Sequence, residues 1–280
     1  MIKKILVALD ADSDTAVAIR YATEIAKRFD ASVTGLAVVD LGSIKSGSKG
    51  GGIGSFYYAE KLREKLTTET RVKARELIQT FESAVVDAGI EHVEMVQEGV
   101  PVQRIVEDMK YHDLLLIGRD PHLFYGHPKK ETPDTLASVV KATVAPSIVV
   151  SDSYTTIRRL VVAYDGSLAS ARTVRDYAHL KPFGPDVAVH LVNVYEKDSS
   201  ESELMLSLLK EYLAAHGVEA TAASLKSNDA RTAILDYSRD VDADMLAIGS
   251  HSVSGIKRIA FGSITEKLLK ECPLPLFLNQ

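Results

Sequence analysis

The chain has 280 residues, 46% hydrophobic and 25% charged, with a net charge of −5, the composition of a globular protein long enough for two domains of ordinary size. No uninterrupted apolar run approaches the roughly 18 to 20 residues of a membrane-spanning helix, and the acidic balance argues against general nucleic-acid binding, which needs a basic face. The single cysteine, Cys272, permits no internal disulfide and no cysteine-based metal site, which fits a reducing cytoplasm.

The opening MIKKILVALD reads as a first strand ending at Asp10, not as an export leader, because its apolar stretch stops with no small-residue cleavage signal behind it. A helix follows in which Val17, Tyr21, Ile25 and the stem of Arg28 share one stripe. Next comes a glycine-rich stretch, Leu41 to Tyr58, with G-x-x-x-x-G at Gly42 and Gly47. Ser48 stands where a phosphate loop needs lysine and Lys49 comes one place late, so a flexible surface insertion is the preferred reading. Tyr57 and Tyr58 at its far end either dock it on the protein or serve a partner. The run LLLI at Leu114 leads to Gly118, then to a loop holding His122, His127, Lys129 and Lys130. Two histidines without a third ligand read as a solvated loop before they read as a metal site. APSIVV from Ala145 ends this half, and the polar SDSYTT, Ser151 to Thr156, follows as a linker.

The same order then recurs. RRLVVAYDGSLASARTVRDYA at Arg158 repeats KKILVALDADSDTAVAIRYA at Lys3, pairing Asp165 with Asp10; ADMLAIGSH around Gly249 repeats HDLLLIGRD around Gly118; CPLPLFL from Cys272 repeats APSIVV. A unit of this length is a duplicated domain, not a solenoid repeat, and it divides the chain into residues 1–151 and 157–280. Runs rich in Val, Ile and Leu alternate with helical stretches, and the strands are apolar on both faces. The expected fold class is therefore α/β, two tandem doubly wound open parallel sheets. Ligands in such sheets bind beyond the carboxyl ends of the strands, where Asp165, Val194 and Gly249 fall.

The segment IGSHSVSGIKRIAFGS, Ile248 to Ser263, is either an anion cradle or a connector. The helix resuming at Gly262 presents first-turn amides without intrahelical partners, and Ser263 either donates to an anionic oxygen or simply caps the helix. Lys257 and Arg258 read first as solvent-facing and second as anion-steering.

The repeated unit resembles the universal stress protein family, and the whole chain resembles a tandem member of it. The family's nucleotide-binding branch carries G-2x-G-9x-G-(S/T) after its fourth strand, matched here by Gly249, Gly262 and Ser263, with Ser252 in place of the second glycine. The resemblance implies the nucleotide-binding α-hydrolase-like fold in each half, and ATP or AMP, with or without magnesium, in the second. It implies Asp165 at the ribose and adenine, the Val194 backbone at the adenine edge, and Ala163, Ile248 and Ile264 lining the same pocket. The plainer reading makes Asp165 a cap and the apolar three ordinary core. In the first half Asp134-Thr135 replaces the Gly-Ser pair, so that site is expected to be degenerate and empty.

No catalytic constellation has motif-level support. His251, with Ser263 or Thr265 as acceptor, is all that the slow hydrolysis or self-phosphorylation of some relatives would have to work with. The expected function is a cytoplasmic, nucleotide-dependent regulator or interaction protein of the stress response, with an unidentified protein partner. The alternatives are a scaffold without nucleotide, contacting a partner through the loops around Ile44 and Phe124, or a weak ATPase. The resemblance also implies an internal pseudo-dimer through the last strands, PLPLFL at Pro273 and APSIVV at Ala145, and allows a homodimer of chains.

Overall fold

A computed structural model describes residues 1–11, 14–40, 53–119, 121, 123, 135–250 and 263–279. The first half runs β1 (Lys4–Ala8), α1 (Asp14–Phe29), β2 (Ser32–Val39), α2 (Ile53–Asp87), β3 (His92–Glu98), α3 (Pro101–Met109), β4 (Leu114–Ile117), α4 (Thr135–Ala142) and β5 (Ser147–Val149). The second runs β6 (Arg159–Ala163), α5 (Leu168–Leu180), β7 (Ala188–Tyr195), α6 (Ser200–Ala215), β8 (Ala220–Lys226), α7 (Ala230–Asp240), β9 (Met245–Gly249), α8 (Ser263–Glu271) and β10 (Leu276–Asn279).

The strands form one ten-stranded sheet in the order β3-β2-β1-β4-β5-β10-β9-β6-β7-β8. Pairing is parallel within each half. At the seam β5 and β10 pair antiparallel, with Leu276 opposite Val149, Phe277 opposite Ile148 and Leu278 opposite Ser147. The two segments expected to join the halves are thus the ones that do.

Two apolar clusters, one on each sheet face, explain why the strands are hydrophobic throughout. Alternate residues of β1 divide between them, Ile5 and Val7 to one and Leu6 and Ala8 to the other; β6 divides likewise, with Leu160 and Val162 opposed to Val161. Both clusters cross the seam, since Ile148 and Phe277 belong to the first and Val149, Leu276 and Leu278 to the second.

The excess length of the first half goes largely into a helix. From Ile53 the chain is helical, so Tyr57 and Tyr58, read as the end of a loop, sit in the first turns of α2, with Tyr57 exposed. Gly42, Gly47 and Lys49 lie outside the described residues. At 35 residues α2 is far longer than its 16-residue counterpart α6. Its buried stripe of Thr70, Ala74, Ile78, Phe81 and Val85 lies in the carboxyl-terminal half. Phe81 lies flat on Gly35 of β2, where an added Cβ would come within 2.6 Å of the ring.

Of the α1 stripe, Val17, Tyr21 and Ile25 are buried and Arg28 is exposed, and the stripe also touches the other half. Tyr21 packs edge-on against Phe183 at 5.6 Å and tilted against Tyr154 at 4.9 Å. Its hydroxyl donates to the Thr155 carbonyl at 2.8 Å and accepts from the Thr155 amide at 3.2 Å. Burial pushes the Tyr21 phenol up to about 12. Because this folded value lies above the ordinary value of about 10, the linked stability is complete below about pH 10 and is lost as pH rises through about 12. Tyr21→Phe should cost about 1–2 kcal/mol at neutral pH by stripping Thr155 of its partner, and should make the alkaline loss shallower. Urea unfolding between pH 8 and 12 reads both effects.

Candidate functional site

At the carboxyl ends of β6, β7 and β9 there is a cavity of about 250 Å³, on the sheet face covered by α7 and α8. It sits where strand order turns back on itself, β6 having β7 on one side and β9 on the other. Its floor is a row of three register neighbours, Val192, Ala163 and Ile248. Ala230 and Ile234 of α7 and Thr265 and Leu268 of α8 form its walls.

Val194, one step farther along β7, supplies polar backbone to this apolar space. The Val192 carbonyl accepts from the Tyr164 amide at 2.8 Å, across to β6. Peptide groups alternate sides along a strand, so the N–H and C=O of Val194 are aimed at that same side, past the point where β6 ends. Asn193, buried between them, donates its side-chain amide to the Tyr164 carbonyl at 2.7 Å and holds the strand ends together. Burial, reinforced by the nearby Asp165 charge, raises the Tyr164 phenol and keeps it neutral.

Asp165 is exposed at the cavity mouth, and one of its oxygens accepts from the Ser167 amide at 3.0 Å. Gly166 makes this turn possible, its φ of 77° lying where only glycine is unstrained. The cap of α5 is Ser167, whose hydroxyl accepts from the Ser170 amide at 3.2 Å. Asp165 therefore braces the turn while its carboxylate faces the mouth. The start of α7 is capped by Asp229, which accepts from the Thr232 hydroxyl at 2.7 Å and amide at 3.2 Å, bonds that hold its pKa below the usual carboxylate range. Gly249 is required by packing, since an added Cβ would stand 2.5 Å from the Ser170 backbone nitrogen.

Five of the residues singled out in the sequence, Ala163, Asp165, Val194, Ile248 and Gly249, thus meet at one cavity. Ser263 and Ile264 are the first two residues of α8, which brings Thr265 to the wall. Ser252 and Gly262 lie outside the described residues, as do His251, Lys257 and Arg258. The Thr265 hydroxyl, considered as a phosphoryl acceptor, donates instead to the Gly249 carbonyl at 3.0 Å and ties β9 to α8. Tyr164, Val192, Asn193, Ala230 and Ile234 were not anticipated. Strand alternation could have yielded Val192, two residues before Val194, but no local signal points to α7. Among the described residues no group of three or more His, Cys, Asp or Glu side chains could hold a metal.

Among the described residues, the matching strand ends of the first half are buried. Ala8, Leu36, Val38 and Ile117 correspond to Ala163, Val192, Val194 and Ile248, and all four are at most 1% exposed. Leu123, from the loop after β4, is buried in the same cluster. The helix ends fix the remaining match, because Thr143 N–H bonds the Val139 carbonyl as Cys272 N–H bonds that of Leu268. Counted back from there, Leu136 corresponds to Thr265. The first helical residues are Thr135 and Ser263, so Asp134 and Gly262 both immediately precede their helices, α4 being one residue shorter than α8. Asp134 itself, with His122, His127, Lys129 and Lys130, lies outside the described residues. Asp10 is fully buried, and the hydroxyl of Thr15 lies 3.1 Å from both its carbonyl and its carboxylate, whereas its counterpart Asp165 is exposed.

The profile of the universal stress protein family matches residues 1–127 and 156–278. A curated relative, Universal stress protein Slr1230 of Synechocystis sp., is 24% identical over 288 residues, covering 98% of each chain. The crystal structure of a universal stress protein from Archaeoglobus fulgidus is similar over 99% of this chain and 98% of that one, with a TM-score of 0.71 at 19% identity. A functionally unknown protein from Pseudomonas aeruginosa PAO1 is similar over 99% of this chain and 92% of that one, with a TM-score of 0.62 at 13% identity. At these identities the two structures speak for the fold.

Proposed function

This chain belongs to the universal stress protein family, twice over along its length, and on that premise we propose that its second domain, residues 157–280, binds one adenine nucleotide, ATP or AMP. The observation that carries the reading is the asymmetry between the halves: a cavity over Ala163, Val192 and Ile248, against buried Ala8, Leu36 and Ile117 at the matching strand ends and buried Leu136 where Thr265 lines the cavity. A flat base suits the apolar floor, with the Val194 peptide at its edge. Ribose hydroxyls can donate to the Asp165 carboxylate. The phosphates then lie toward the start of α8, whose first amides and dipole favour negative charge. Magnesium, when present, would accompany the phosphates; the residues at the cavity supply no ligand cluster of their own.

In this reading the first domain, residues 1–151, is a degenerate copy, and occupancy of the second changes how the cytoplasmic protein meets its stress-response partner. Native mass spectrometry of the purified chain tests it directly, with one adenine nucleotide per chain expected. ATP or AMP in millimolar excess should also raise the melting temperature. No bound nucleotide and no thermal shift with either would leave only the scaffold reading. Gly262→Asp, which writes the Asp134 chemistry into the second half, should lower ATP affinity more than about tenfold by setting a negative charge against the first amides of α8. Calorimetric titration of the folded variant measures that loss.

A further inference from the structure

Arg119, next after Gly118, leaves the first half to serve the second. Its amide donates to Asp14 at 3.0 Å, while its guanidinium crosses the seam and donates to the carbonyls of Leu269 at 3.2 Å and Leu274 at 2.6 Å. Leu269 lies in the last turn of α8, and the residue four places on, whose amide would ordinarily reach its carbonyl, is Pro273. Leu274 lies in the turn between α8 and β10. Arg119 thus supplies donors from the first half to two carbonyls of the second, and places a cation at the carboxyl end of that helix. Burial lowers its pKa without discharging it. The pseudo-symmetric arrangement lacks both components, because Val144 stands where Pro273 does and Ser250 where Arg119 does.

We propose that Arg119 is a positioning residue for the cavity of the second domain, a clamp through which the first domain sets the seat of α8. For the identity of the ligand this rests on the reading above; the clamp itself does not. At nine residues α8 is a rod of about 13 Å, so a shift at its clamped end is carried to Thr265, Leu268 and the Ser263 end. Among the described residues, two further polar contacts of the helix lie within its own half: the Thr265 bond to Gly249 and the ion pair of Arg231 with Glu271. Asp14 joins the clamp to the start of α1, its carboxylate filling the space beside Gly118 where a side chain would stand. The end of β4, the start of α1 and the end of α8 therefore form one connected unit, and movement at the β5–β10 seam reaches the cavity through it.

The test uses the full chain. Arg119→Met keeps the apolar stem and removes every donor, Arg119→Lys keeps a charge with a single donor group, and Tyr154→Phe loosens the same junction elsewhere by removing the bond to Glu24. Hydrogen exchange of the α8 amides without ligand, and calorimetric affinities for ATP and AMP, are the two readouts. Arg119→Met should speed exchange in α8 while leaving α5 and α7 unchanged, and weaken nucleotide binding about tenfold. Arg119→Lys should fall between, and serves alone if the methionine variant does not fold. Tyr154→Phe should move neither readout. Unchanged α8 exchange in the Arg119 variants, or affinity equal to wild type, overturns the proposal. Should the wild-type chain bind neither nucleotide, the ligand reading falls and exchange alone decides the clamp, faster exchange upholding it and unchanged exchange refuting it.

Discussion

Replacing Ala163 with phenylalanine should leave the chain folded and lower its affinity for ATP and AMP more than about a hundredfold. Ala163 ends β6 between Val192 and Ile248 in register, two residues beyond Val161 on the same sheet face, and so borders the cavity at its centre. An aromatic ring there has an unfilled volume of about 250 Å³ to enter, which removes the usual strain of overpacking. The first half holds a natural precedent in Leu136, which is buried where Thr265 lines the cavity of the second half. Titration calorimetry beside a thermal melt decides the matter. A melt near that of wild type with affinity retained would put the ligand elsewhere.

Phe277→Ala should cost about 3–5 kcal/mol, felt by both halves at once. Phe277 is fully buried in β10, opposite Ile148 of β5 across the seam and beside Ala247 of β9, and its ring meets Tyr177 edge-on at 5.7 Å. Because the core on that face runs through the seam, the cavity left by the ring lies in a region both domains share. Denaturant unfolding should show the midpoint falling for the whole chain. A loss below about 1 kcal/mol would mean that neighbouring side chains close over the gap, and that the seam is softer than its packing suggests.

Several of these features are legible in the residues themselves. The duplication shows because corresponding strands end the same way twice, in Asp10 and Asp165, and again in Gly118 and Gly249. Gly249 is constrained by the Ser170 backbone 2.5 Å from where a Cβ would be, and a constraint of that kind leaves a mark in sequence. The pairing of β5 with β10 was implied by the family resemblance of the two closing runs, APSIVV and PLPLFL, and the antiparallel register bears it out. The length of α2 was not legible. Glycines and serines from Leu41 onward suggest a loop as far as Tyr58, yet the helix begins at Ile53, held by the stripe from Thr70 to Val85 that lies well downstream.

By itself the sequence determined the class of fold, the repeat, and which strand ends border the cavity, because period, turn chemistry and glycine placement act over a few neighbouring residues. Only the tertiary structure decided which remote side chains wall the cavity of the second half and what holds its edge. Ile234 reaches the cavity from another helix, Leu123 is buried in the first half from a loop, and Arg119 crosses the seam to carbonyls some 150 residues away. Whether space is left between such groups depends on how remote segments pack together, and no stretch of chain carries that information alone.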